Sequence, residues 1–234
     1  MQIRPQGLDG LLVRFALTPD AHAMTAAQAV AAALRDDPPA GVVEIAPALV
    51  SVFVRFDAAR VSRAELTEAL RARVDGRPMT APEPLRRWTI PACFGGDDGP
   101  QLAQVAAKVG VTEQAAIDQI CGADLRVLAI GFAPGQPYIG LLPDAWNLPR
   151  LSALTPQVPA GAVVVAVRQV VIFGAASPTG WHHVARTAFR SFAPDRDPPM
   201  PLRAGDAIRL APATPSDIAA LTDPMSGAQL TVLR

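Results

Sequence analysis

The sequence has few of the residues that mark a disulfide-stabilised or membrane-embedded protein. Only two cysteines occur in 234 residues, Cys93 and Cys121, too few for a disulfide framework. No apolar run reaches the ~20 residues that span a bilayer, since the longest, residues 160–175, is interrupted by Arg168 and Gln169. The first ten residues carry charge and no apolar core, so we expect no signal peptide. These absences predict a reduced, cytoplasmic protein with no membrane partner.

An excess of either charge is also absent, as are the common catalytic motifs. Lys plus Arg and Asp plus Glu each number 21, so there is no overall attraction to nucleic acid. The sequence has no Walker A loop, no Gly-x-Gly-x-x-Gly and no Gly-x-Ser-x-Gly. It also lacks the Cys and His spacing of metal sites. We therefore expect no nucleic-acid partner and no metal ligands, and any ATP must be held in another way.

Strand-like and helix-like segments alternate in the first third of the chain. Apolar, β-branched runs predict strands at residues 11–15, 42–45 and 49–56. Residues 25–34 are Ala-rich and predict a helix that Thr25 would cap. A second helix is predicted over residues 62–73, where Ser62 and Glu65 have the spacing of a capping box. This order predicts a small α+β domain with its helices on one face of an antiparallel sheet.

A proline-rich segment follows and separates this part from the rest. We assign residues 1–80 to the small ferredoxin-like α/β domain and residues 81–87, with Pro82 and Pro84, to a linker. A strand is expected from residue 88, followed by two short helices at residues 101–108 and 112–121.

Short apolar runs alternate with Gly and Pro beyond residue 125. They lie at residues 127–132, 162–167, 170–173, 181–185 and 207–210. This spacing is typical of an antiparallel barrel or sandwich. We assign residues 88–213 to this domain and residues 214–234 to a C-terminal tail with a short helix and a last strand.

Three motifs, in a fixed order, point to a known family. They are Ile-Pro-Ala-Cys-Phe-Gly-Gly at residues 90–96, Gly-Phe-Ala-Pro-Gly-Gln-Pro-Tyr-Ile-Gly at residues 131–140, and Ser-Pro-Thr-Gly-Trp at residues 177–181. A closing segment contains Gly205-Asp206. With this order and spacing, about residues 7–212 resemble the family of the B-type subunit of 5-oxoprolinase. That family is also named allophanate hydrolase subunit 1 or carboxyltransferase domain, subdomain C and D, and includes an inhibitor of a sporulation histidine kinase.

The resemblance implies an architecture and partners. It implies a small N-terminal α/β domain followed by a cyclophilin-like β-barrel, and pairing in a heteromer with a homologue of the C-type subunit of 5-oxoprolinase. With that partner and a further, hydrolytic A-type subunit, such proteins support ATP-dependent opening of 5-oxoproline to glutamate. ATP, with magnesium, would be shared with the partner. The substrate would be a small lactam or amide.

The loop at residues 131–140 is the first candidate for substrate binding. Gly131, Phe132, Pro134, Gly135 and Tyr138 are its candidate residues. Glycine permits close approach of a ligand to backbone N–H groups, and proline stiffens the loop. The loop is either a preorganised site for a small anion or a turn shaped to pack the barrel, and the sequence does not distinguish the two.

The second set of candidates lies further along the barrel. Gln169 interrupts an apolar run, and a buried amide requires a hydrogen-bond partner, which a ligand can provide. Arg186 could hold a carboxylate, and Ser177 adds a hydroxyl. His182 and His183 are adjacent, so on a strand they must face opposite sides. We expect the 131–140 loop and the strand around Gln169 to form the wall of one pocket, and we assign no catalytic residue.

The chain departs from the family pattern at four positions. Cys121 stands where members usually have a histidine closing the second helix, and Gln136 where they have phenylalanine. Val167 and Thr179 each stand where they have glycine. Cys121 is expected at a helix C-terminus, where the dipole disfavours a thiolate, so we do not expect it to act as a nucleophile.

Three functions therefore remain open. The chain is one part, inactive alone, of an ATP-dependent lactam-cleaving complex. Alternatively, it is a regulatory protein resembling the histidine-kinase inhibitor, or a scaffold that has lost activity through the four departures. The sequence alone leaves open whether it takes part in catalysis.

Overall fold

A computed structural model describes residues 1–76, 80, 82–223 and 225–233. Contacts divide the chain into two compact units, Met1–Glu83 and Pro84–Arg234. Ala81, where the predicted linker begins, lies outside the described residues, and the predicted linker residues Arg86 and Arg87 already belong to a strand of the second unit.

The first unit is a four-stranded antiparallel sheet with two helices, which confirms the predicted α+β class. Its strands are β1 (Gln2–Gln6), β2 (Gly10–Arg14), β3 (Val42–Pro47) and β4 (Ser51–Phe56), and its helices are α1 (Ala21–Asp36) and α2 (Arg63–Val74). The sheet order is β1-β2-β4-β3. In a ferredoxin-like fold, the edge strand next to the first strand of the repeat comes after the second helix in sequence. Here β1, which is polar and was not predicted, supplies it from the N-terminus.

The caps of the two helices show where local sequence signals suffice. Ser62 and Glu65 form the predicted capping box at the start of α2. The predicted cap of α1 was wrong, because Asp20 and not Thr25 caps the helix. The Asp20 side chain accepts a hydrogen bond of 2.8 Å from the backbone of Ala23, so α1 begins at Ala21.

The second unit is built around a closed ring of seven strands. In ring order these are β12 (His182–Arg186), β9 (Ala162–Ala166), β10 (Gln169–Ile172), β7 (Pro137–Gly140), β6 (Leu125–Ile130), β13 (Ala207–Pro212) and β5 (Arg86–Phe94). The strand β5 closes the ring by pairing with β12. Two further strands, β8 (Thr155–Val158) and β11 (Ser177–Thr179), form a separate ribbon.

The barrel differs from the prediction in two respects. The strands β13 and β5 are parallel, whereas the sequence predicted an antiparallel barrel. Parallel neighbours need a long connection, and the whole chain between Phe94 and Ala207 provides it. The predicted tail is also part of the sheet, since β14 (Gln229–Val232) pairs with β5.

Helices complete the second unit. They are α3 (Leu102–Val109), α4 (Glu113–Gly122), α5 (Pro215–Ala219) and two 3-10 turns at Gly96–Asp98 and Asp144–Trp146. Gly110 ends α3 in the left-handed conformation that glycine favours, and Thr112 caps α4 as predicted. In the described part of the chain, no helix combines the length and apolar character needed to cross a membrane.

Apolar side chains cover both sides of the strands around β9. Val163 and Val165 point into the barrel core with Ile90, Ile139 and other ring residues. Val164 belongs instead to a second cluster on the opposite side, made of Val158, Ala162, Val164, Ala166, Val171, Phe173 and Trp181. We call this side of β7, β10, β9 and β12 the outer face.

Candidate functional site

Strand register places several candidate side chains on the outer face. Residues directly opposite each other in neighbouring strands share a face. Tyr138 is opposite Val171, Val171 is opposite Val164, and Val164 is opposite His183. Tyr138 and His183 therefore lie on the same side of the barrel, at the two ends of one row.

Gln169 lies in the next row of this face. It is opposite Gly140 on one side and Ala166 on the other, so its neighbours in the row are small. Its side chain is only 3% exposed. The buried side-chain atoms that lack a partner among the described residues belong to His182, His183 and Ser191, and those of Gln169 are not among them.

The glycine- and proline-rich loop lies at the other end of β7. Gln169 pairs with Gly140, the last residue of this strand, whereas the loop precedes Pro137, about 10 Å away at the usual strand rise. Within the 131–140 segment, Tyr138, Ile139 and Gly140 lie directly opposite residues of β10. The β7 end of the segment therefore lies beside the strand around Gln169, and the residues before Pro137 lie further along the hairpin, so the shared pocket stays a prediction.

Packing accounts for one glycine of this loop. A Cβ atom on Gly135 would lie 2.5 Å from the backbone oxygen of Ser191, and Gly135 has a positive φ of 67°. Phe132 also has a positive φ of 72°, and its side chain is 82% exposed. At Gly135 the structure favours the interpretation of a turn shaped for packing. Gly131 and Pro134 belong to the same hairpin loop.

Tyr138 contacts an aromatic partner on the outer face. Its ring meets Trp181 edge-on, with centroids 6.1 Å apart, and the guanidinium of Arg150 lies 5.5 Å from the Trp181 ring centroid. Ser177 is in the separate ribbon, opposite Val158, and its hydroxyl donates to the backbone of Ala175. The hydroxyl thus already has a local partner.

Val167, one of the departures from the family pattern, lies in a turn that requires positive φ values. Val167 and Arg168 connect β9 to β10 with φ values of 46° and 64°. Two positive φ values are typical of a type I′ hairpin turn, which favours Gly and Asn. A β-branched side chain at such a position is an outlier. The glycine that the resemblance leads us to expect would fit this backbone without strain.

Arg186 belongs to a polar cluster at the end of β12. Its guanidinium forms an ion pair with Asp98, with 3.3 Å between Nη1 and Oδ1, and its side chain is 50% exposed. Arg186 is opposite Ala162 and therefore on the outer face with His183. Cys93, opposite Arg186 in β5, contacts Asp98 as well.

A β-bulge brings Arg186 and His183 to the same side. Val184 is the extra residue between His183, opposite Val164, and Ala185, opposite Val163. The turn before α3 binds the backbone of this bulge. Gln101 exchanges hydrogen bonds with His183, and the Gly95 N–H donates to Val184.

The two adjacent histidines face opposite sides, as predicted. His182 is opposite Val165 and points to the barrel core, where its Nε2 atom lies 3.1 Å from the carbonyl oxygen of Pro149. Burial lowers the pKa of His182, although the Pro149 contact raises it and Lys108 lowers it further. Burial also lowers the pKa of His183, opposed by the Ala185 backbone and Asp98. Nδ1 of His182 and Nε2 of His183 are buried and have no hydrogen-bond partner in the described part of the chain.

These histidines should make stability depend on pH. Their folded-state pKa values lie below that of an unfolded histidine, so the unfolded chain binds more protons in mild acid. The free energy of unfolding should therefore fall as pH drops below about 6.5, by up to about 1.4 kcal/mol per pH unit for each histidine. Urea unfolding at several pH values measures this. His182→Gln should flatten the slope, and a slope retained with both histidines replaced would contradict the assignment. His22→Gln, at an exposed position, is the control.

The structure argues against a nucleophilic role for Cys121. It lies near the C-terminus of α4, and burial and the neighbouring Asp118 raise the pKa of its thiol to about 11, with Arg209 opposing them. The pKa of Cys93 is also raised, first by burial and then by Asp98. Both thiols are therefore protonated at neutral pH.

Asp98 and Gln101 also belong to this cluster, and neither was predicted to do so. Gln101 was predicted only as the first residue of a helix, and Asp98 had no predicted role. The distance in sequence between the turn before α3 and Arg186 hides their contact. Only the pairing of β5 with β12 brings them together.

Known proteins resemble the chain along most of its length. A family model described as "Carboxyltransferase domain, subdomain C and D" matches residues 1–202. The B-type subunit of 5-oxoprolinase from Bacillus subtilis (strain 168) is 30% identical over 218 residues, which cover 89% of this chain and 91% of that protein.

Solved structures share the fold. The crystal structure of TTHA0988 matches with a TM-score of 0.70 and 32% identity, and covers 92% of this chain but only 41% of its own. The urea amidolyase of K. lactis matches with a TM-score of 0.71 over 98% of this chain and 16% of its own. At 16% identity, that likeness shows the fold alone. The family match and the relative of nearly equal length agree with the resemblance seen in the motifs, and the chain belongs to the carboxyltransferase domain, subdomain C and D family, with the B-type subunit of 5-oxoprolinase among its relatives.

Proposed function

We propose that this chain is one member of an ATP-dependent complex that opens a cyclic amide of the 5-oxoproline type. It acts with homologues of the C-type subunit and of the hydrolytic A-type subunit, and is inactive alone. The observation that carries this proposal is the 30% identity to the B-type subunit of 5-oxoprolinase over 91% of that protein. Because the match covers nearly the full length of that protein, a shared role explains it more simply than the reuse of one domain in a protein of different function.

The dependence on a partner has a second line of support. TTHA0988 is a longer chain, of which the matched part is 41%. In that protein this architecture is joined covalently to further polypeptide. A separate partner chain would supply the equivalent association here.

The nucleotide belongs with the partner rather than with this chain alone. ATP phosphates favour a glycine-rich turn before a helix N-terminus. The turn before α3 has the glycines Gly95, Gly96 and Gly99, but it also carries Asp97 and Asp98. Two carboxylates repel phosphate groups, so these residues do not fit the phosphates of ATP by themselves.

Reconstitution tests the proposal. The full chain is co-expressed with its C-type and A-type partner homologues, and the purified assembly is assayed for ADP and glutamate with 5-oxoproline. We expect ATP hydrolysis that requires 5-oxoproline and all three chains, with omission of each chain as the matched control.

Two outcomes would contradict the proposal. One is an assembly that forms but hydrolyses no ATP with any lactam tested. The other is binding of this chain to a histidine-kinase dimerisation domain without turnover, which would support the regulatory alternative.

A further inference from the structure

The cluster around Arg186 has unused binding capacity. Its guanidinium has five N–H donors, yet among the described residues its side chain has one hydrogen bond, to Asp98. With half of the side chain exposed, it can bind a carboxylate through two parallel hydrogen bonds.

His183 provides a second, independent contact point. The residue is 5% exposed, and its Nε2 atom has no partner among the residues that the structure describes. It shares the outer face with Arg186, because the bulge at Val184 corrects the alternation between them. A neutral imidazole nitrogen either donates or accepts one hydrogen bond, depending on its tautomer.

We propose that Arg186 and His183 form a two-point site for a small molecule that carries a carboxylate next to an amide. Arg186 binds the carboxylate, and Nε2 of His183 pairs with the N–H or the C=O of the amide. A 2-carboxylated lactam such as 5-oxoproline has these groups on neighbouring atoms. The choice of lactam rests on the proposed function, whereas the site itself rests on the two side chains.

Ligand entry requires a small rearrangement. Nε2 of His183 is enclosed by protein, and Arg186 lies beside it on the same strand. A ligand carboxylate competes with Asp98 for the guanidinium, which a single hydrogen bond holds in place. Exchange of one carboxylate for another lets the Arg186 side chain move away from His183 while the guanidinium stays paired.

Binding to the full chain by isothermal titration tests the site without any variant. The probes are L-5-oxoproline, 2-pyrrolidinone, which lacks the carboxylate, and cyclopentanecarboxylate, which lacks the amide. We expect L-5-oxoproline to bind at least about tenfold more tightly than either analogue. Equal affinity for all three, or no binding of L-5-oxoproline to the chain or its complex, would overturn the proposal.

Variants then assign the two contacts. Arg186→Gln should weaken L-5-oxoproline binding about tenfold or more and remove its advantage over 2-pyrrolidinone. His183→Phe should remove its advantage over cyclopentanecarboxylate. Arg209→Gln, on the exposed side of β13, is the control. Circular dichroism verifies folding, and the analogue series on the unaltered chain decides the question if His183→Phe does not fold.

The outcomes separate this site from the proposed function. If the reconstituted complex turns over 5-oxoproline equally well with Arg186→Gln, the function stands and the site is wrong. If the chain binds 5-oxoproline through Arg186 but the complex hydrolyses no ATP, the site stands and the proposed function is wrong.

Discussion

Replacing Asp206 by alanine should lower the free energy of unfolding of the barrel unit by about 3–5 kcal/mol, the cost of breaking a buried ion pair. The carboxylate is 4% exposed and pairs with Arg86 at the start of β5. It also accepts hydrogen bonds from the Trp88 indole at 3.1 Å and from the Arg203 backbone at 2.8 Å.

The loss is large because removal of the carboxylate leaves its donors buried without a partner. The Arg86 guanidinium, 17% exposed, would keep its charge with only the Pro201 carbonyl as acceptor. The strand β5 pairs with β13, β12 and β14, so displacement of its first residues should weaken much of the barrel.

An exposed ion pair is the matched control. Asp144 and Arg168 are 2.6 Å apart, but Asp144 is 93% exposed. Asp144→Ala should cost at most about 1 kcal/mol. Denaturant unfolding of both variants, followed by tryptophan fluorescence, measures the difference. Similar losses in the two variants would show that burial of Asp206 does not govern its contribution.

Gly99→Ala should destabilise the barrel unit by about 3 kcal/mol, at the upper end of the cost of overpacking. A Cβ atom on Gly99 would lie 2.0 Å from the Val184 carbonyl oxygen and 2.6 Å from the Gly95 nitrogen. Both are backbone atoms, so rotation of a side chain cannot relieve the clash. The turn must withdraw from the bulge, and Asp98 moves with it.

The prediction has a local and a remote readout. Thermal unfolding reports the loss of stability, and L-5-oxoproline titration should show weaker binding because Arg186 loses its position. Gly122→Ala is the control, since no atom of the described residues lies within 4 Å of its Cβ position at the end of α4. It should leave stability unchanged or raise it by up to about 1 kcal/mol. An equal effect of both substitutions would refute the role assigned to the bulge.

Local signals in the sequence predicted the elements whose causes are local. The capping box at Ser62 and the cap at Thr112 each depend on atoms within three residues, and both were found. The strand β1 was missed because it is almost entirely exposed, so it carries no apolar alternation. The polar residue Gln169 was recognised because it interrupts an apolar run.

The candidate site was predicted only in part, because the register between neighbouring strands cannot be read from the sequence. Arg186, Gln169 and Tyr138 were named individually, and the structure brings them to one face. Gly131, Phe132, Pro134 and Gly135 were grouped with them because they adjoin Tyr138 in sequence. In a hairpin, the turn lies at one end of the strands and the last residue of the second strand lies at the other end. Residues that are close in a sequence motif can therefore be well apart in the structure.

By itself, the sequence determined the composition, the main helices and strands, and the order of motifs that defines the family. Tertiary structure alone decided that β13 runs parallel to β5 and that Asp98 meets Arg186. It also decided the face of Arg186, since strict alternation would put residues 183 and 186 on opposite sides. The bulge at Val184 reverses this, and backbone groups from the distant 95–101 turn hold it in place. Strand register depends on such long-range hydrogen bonds, which no local pattern of side chains encodes.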